Sequence, residues 1–130
     1  MVLDAIATLL QTAGYGTIGT DLFYPEMPDQ PDDCLALADF PAGAPEMQLG
    51  YGRVGLEILR VQVTVRAALY DTGRTRIEGI VTELAKVLNQ SVSGVRYLAT
   101  VPNRTPSSIG RDPNGQYLFT VDFDVMKEPG

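Results

Sequence analysis

Gly50, Gly52 and Gly55 spell G-x-G-x-x-G, the spacing with which a dinucleotide-binding turn lets a helix N-terminus approach a pyrophosphate. That turn must follow a strand and open a helix. Here the glycines precede an alternating segment that begins near Glu57, so they read as a loop and not as a cofactor cradle. Asp29, Asp32 and Asp33 could gather a hard cation, but the oxygen-ligand spacing and central glycine of a calcium loop are missing, and a solvated acidic turn is the simpler reading. Asp122 and Asp124 fall on one face of a strand and could divide acid and base roles, since neighbouring carboxylates push each other's pKa apart. Two carboxylates alternating outward also describe an ordinary solvent or interface face. Cys34, the single cysteine, sits in an apolar run and reads as a small core residue. The sequence has no histidine, which removes the commonest general base and metal ligand and every relay that depends on one. The expectation is a protein with no catalytic residues, no cofactor and no metal.

The elements that position these residues follow from hydrophobic period. Val2, Ile6, Leu9, Leu10 and Ala13 recur at helical spacing, with Gly14 placed to end a helix over residues 2 to 13. Asp21 to Tyr24 and Cys34 to Phe40 read as short strands around a Pro/Asp turn, and residues 41 to 55 as a long loop punctuated by glycine and proline. Leu59, Val61, Val63, Val65 and Ala67 alternate with Arg60, Gln62, Thr64 and Arg66, a clear strand. Asp71 or Thr72 could cap a helix over residues 73 to 90 whose stripe is Ile77, Ile80, Val81, Leu84 and Leu88. Residues 89 to 94 then read as a loop, Val95 to Pro102 as a strand and Asn103 to Arg111 as a polar loop. The turn chemistry of Asp112 to Gly115 precedes a last strand in which Tyr117, Phe119, Val121, Phe123 and Val125 alternate with polar residues. The fold class expected is α+β: one domain over residues 1 to 130, a mostly antiparallel sheet of four to five strands with two helices packed on one face.

With 130 residues, 45% apolar and 20% charged, the composition is that of an ordinary globular domain. No apolar run approaches the length that crosses a bilayer, and the first residues lack the basic start of a signal peptide, so neither membrane insertion nor secretion is expected. The net charge of −6 opposes nonspecific nucleic-acid binding. Residues 21 to 57 sum to −7 and residues 58 to 111 to +5, two poles on one chain. Arg74, Arg76 and Arg104 on one side, and Asp29, Asp32 and Asp33 on the other, are candidate donors and acceptors of an interface between copies.

The order of segments resembles the tail terminator proteins, also called minor capsid or tail completion proteins, of long-tailed bacteriophages. Its carriers are the opening helix running into Gly14-Tyr15-Gly16-Thr17-Ile18-Gly19-Thr20-Asp21-Leu22-Phe23, the turn from Met27-Pro28-Asp29 to Pro31-Asp32, and the strand Val61-Gln62-Val63-Thr64-Val65-Arg66. The second helix, Val95-Arg96-Tyr97-Leu98, and Gly110-Arg111-Asp112-Pro113-Asn114-Gly115-Gln116-Tyr117 complete them. The resemblance implies a virion protein, assembled in the host cytoplasm, that forms a homo-oligomeric ring, usually a hexamer, on the head-proximal end of the tail tube. Such a ring stops tube polymerisation and meets the head–tail connector. It implies no sequence-specific nucleic acid, no membrane and no catalytic residue. Opposite poles on one chain suit the head-to-tail contacts that close rings. Another connector or neck protein is the neighbouring alternative; a small metal-dependent enzyme, resting on the acidic turn and the glycine loop, is the distant one.

Overall fold

The computed structural model describes residues 2–28, 33–41, 57–92, 94–102, 105–111, 113 and 115–127. Helix α1 (Val2–Thr12) turns Leu3, Ile6, Ala7 and Leu10 inward, all fully buried, at the three- and four-residue spacing of one helix face. It closes with the paired bonds of a glycine C-terminus: Tyr15 N–H donates to the Leu10 carbonyl at 3.0 Å and Gly14 N–H to that of Gln11 at 3.1 Å. Gly14 takes φ +90°, which a side chain would strain.

Among the described residues seven strands form one sheet: β1 (Leu22–Phe23), β2 (Cys34–Pro41), β3 (Glu57–Ala67), β4 (Leu88–Val92), β5 (Val95–Pro102), β6 (Ser107–Arg111) and β7 (Tyr117–Lys127). The order across it is β1-β2-β3-β7-β5-β4, and β6 lies along β7 beyond the stretch that β5 occupies. Only β1 and β2 run parallel. The centre is the eleven-residue β3–β7 ladder, from Glu57 opposite Lys127 to Ala67 opposite Tyr117. Cross-strand partners share a face, so Leu35, Val65 and Phe119 point to one side, as do Leu37, Val63 and Val121.

Helices α1 and α2 (Tyr70–Leu84) pack on that side. Ile77, Ile80 and Leu84 of α2 join Leu3, Ile6 and Leu10 of α1 and the inward strand residues in one core, with Leu59 and Val81 packed at its margin. The class is α+β, with two helices among the described residues and a mostly antiparallel, curled sheet. Four to five strands was too few, and helix α2 is shorter than residues 73 to 90. It starts at Tyr70, with Leu69 as its N-cap and no side-chain capping bond, and stops at Leu84, so Leu88 leaves the helix and opens β4. The segments read as loops at 89 to 94 and 103 to 111 contain most of β4 and all of β6. Both are edge strands whose residues, Val92 apart, are exposed on both faces, and a strand exposed on both faces carries no apolar alternation to read.

Candidate functional site

Two grooves flank helix α2. The larger, about 810 Å³, runs between the end of α1, the turn after it and the first half of α2; Gln11, Tyr15, Asp21, Asp71, Arg76 and Gly79 are among its lining residues. Its wall is fixed by local bonds: Asp21 Oδ1 accepts from Thr17 N–H at 2.6 Å, and Gln11 Oε1 from Ile18 N–H at 2.9 Å. Tyr15 lies over Gly79 so closely that a Cβ there would sit 2.6 Å from the phenol oxygen. Carboxylates and a guanidinium share this wall, so its charge is mixed.

The smaller groove, about 250 Å³, separates α2 from β6, with an apolar floor of Tyr70, Ile77 and Phe119 and the Arg74–Glu78 ion pair (2.9 Å) at its rim. From the core outward the aromatic rings continue: Tyr70 meets Phe119 at 5.2 Å and Tyr117 edge-on at 5.6 Å between centroids. The Arg111 guanidinium lies 4.5 Å from the Tyr117 ring centre and donates to its hydroxyl. This ladder ties the start of α2 to the β6–β7 hairpin. Strand alternation marked Tyr117 and Phe119, but only the fold brings Tyr70 and Arg111 to them.

The face of the sheet opposite α1 and α2 is polar at its centre. Arg60 on β3 donates to Asp124 on β7 at 3.1 Å, and Arg66, Thr120 and Asp122, at alternate positions on the same two strands, are buried. Asp122 and Asp124 therefore share a face as expected, with Arg60 bound to the latter, an arrangement suited to a structural ion pair. Cys34 is fully buried. Burial first, with nearby carboxylates adding and Arg66 opposing, pushes its thiol above the ordinary cysteine value, the reverse of what a nucleophilic thiolate needs.

Of the candidate interface charges, Asp33 accepts from Ala68 N–H at 2.9 Å, tying the start of β2 to the end of β3. Arg74 is held by Glu78 one turn along α2, and Arg76 lines the larger groove beside Asp21 and Asp71. Asp29, Asp32 and Arg104 lie outside the described residues, as do the glycines of the G-x-G-x-x-G segment. Of the three described candidates, Asp33, Arg74 and Arg76, none pairs with another. Among the described residues there is no cluster of three metal-ligating side chains and no helix long and apolar enough to cross a membrane.

The profile of a family described as bacteriophage tail terminator protein matches residues 9–128. No curated protein matches the chain.

Proposed function

This chain belongs to the bacteriophage tail terminator protein family, and from that premise we propose that it forms a ring of six copies on the head-proximal end of the tail tube. Its role is structural and lies in the phage tail. The ring halts tube growth and presents a surface to the head–tail connector. The observation that carries this reading is the family match over nearly the whole chain, from α1 through β7. The site chemistry agrees with it: the one thiol is buried with its pKa raised, and a carboxylate of the strand pair is bound by Arg60. Subunit contacts draw on the opposite charges of the chain, with buried apolar area supplying most of the affinity.

The test is tail length in virions assembled without the protein. Tails of variable and excessive length that fail to join heads support termination. Tails of normal length that merely fail to join heads would make the chain a neck or connector component instead.

A further inference from the structure

Residues 21 to 41 contain six carboxylates and no lysine or arginine, while residues 85 to 111 contain four cations and no carboxylate. The first stretch builds β1 and β2, and the second builds β4, β5 and β6. In the strand order these are the two opposite margins of one sheet, with β3 and β7 between them. At the usual strand spacing, β2 and β4 are about 19 Å apart along the sheet. We propose that these margins are the two halves of a head-to-tail contact, the acidic β1–β2 margin of one copy seating on the basic β4–β6 margin of the next.

This rests on the ring reading above and names its surfaces. Glu26 and Asp39 are exposed on the acidic side. On the basic side Arg96 is exposed at the β4–β5 hairpin and Arg111 at the end of β6. Both margins also offer backbone. β1 covers β2 only at Leu35 and Ala36, so among the described residues the stretch from Leu37 to Pro41 has no strand on its outer side. The outer side of β6, five residues long like that stretch, is likewise open among the described residues. Apolar side chains accompany the charges: Leu88 of β4 is 71% exposed and Ile109 of β6 is 56% exposed, and Ile18, which bridges to the first residue of β1, is 37% exposed. Open strand edges bearing apolar residues invite pairing with another chain, and opposite charge selects which edge that will be. A second copy of this chain is the occupant that supplies both signs. Because the two surfaces differ, the contact is heterologous, and successive copies advance around a ring. The charges on α2 that the sequence alone suggested, Arg74 and Arg76, lie off these margins.

Two reciprocal variants test this. Glu26→Lys with Asp39→Lys sets lysine against Arg96 and Arg111 across the contact; Arg96→Glu with Arg111→Glu sets glutamate against Glu26 and Asp39. Each is first checked for a native far-ultraviolet spectrum and a cooperative melt, with Arg96→Glu alone replacing the double variant if loss of the Arg111–Tyr117 contact prevents folding. Tail assembly is then run at low salt with tail-tube protein and wild type, either variant alone, or an equal mixture. Wild type is expected to cap tails, each variant alone to cap on the order of tenfold less because attraction at these positions has become repulsion, and the mixture to recover capping with both variants present in equal amounts. If wild type caps and each folded variant also caps alone, or the mixture does not recover, the margin contact is overturned while the terminator reading stands. If wild type does not cap, the terminator reading fails, and this inference fails with it.

Discussion

Gly73 and Gly79 show how the same substitution on one helix takes opposite signs. A Cβ at Gly73 would lie 2.5 and 2.8 Å from two ring carbons of the buried Phe119 and 3.1 Å from the Ala67 Cβ. Neither neighbour can withdraw, and overpacking of this kind costs about 1 to 3 kcal/mol, more than the roughly 1 kcal/mol that alanine gains over glycine in a helix. At Gly79 the obstacle is the far end of half-exposed Tyr15, which can swing into the groove beside it. Gly73→Ala should therefore lower the denaturation midpoint, and Gly79→Ala should leave it unchanged or raise it. Tyr97 supplies a pH test. Burial, with the Asp4 carboxylate adding, raises its phenol above the ordinary tyrosine value. Below that ordinary value both states hold the proton and the contribution to stability is complete. Above it the unfolded chain ionises first, and stability is lost as the pH rises through the native value. Tyr24 and Cys34 are raised too and act in the same direction. Tyr97→Phe should make the alkaline fall in denaturation midpoint shallower without abolishing it.

Among the elements, the inward residues of β3, α2 and β7 meet those of α1 and β2 in one core. Truncating Phe119 or Leu84, 2% and 1% exposed, should cost about 2 to 5 kcal/mol each by denaturant titration; unchanged midpoints would show that the core faces are misassigned. These elements were legible in the sequence for the same reason that they are stable. A strand or helix with one buried face must repeat its apolar residues at period 2 or 3.6. Val61, Val63 and Val65 did so, as did Phe119, Val121 and Phe123, and all six are buried. Strands β4 and β6 were illegible because both of their faces are exposed: in Ser107–Arg111 no apolar face repeats, and in Leu88–Val92 the first residue continued the helical stripe of Ile77, Ile80 and Leu84. The charge poles were visible as sums over segments. Which residues face outward depends on strand order, and that placed Arg96, Arg111, Glu26 and Asp39 on the margins while Arg74 turned to Glu78 on its own helix.

For the whole molecule, the proposed ring function depends on surface, so changes should divide into those that unfold the chain and those that spare the fold and impair assembly. Charge reversals on the sheet margins belong to the second kind, and their effect should fade as salt screens exposed charges. Deletions within the loop read at residues 41 to 55 should belong there too, leaving the melt cooperative and the tails abnormal, because a glycine- and proline-rich segment contributes contacts rather than core. The central claim, that this chain closes a ring at one end of the tail, is tested most directly by counting its copies in purified tails of different lengths by quantitative mass spectrometry. The account predicts a small fixed number per tail, six for a hexamer, independent of the amount of tail-tube protein. A copy number that rises in proportion to tail length would place the chain along the tube and contradict it.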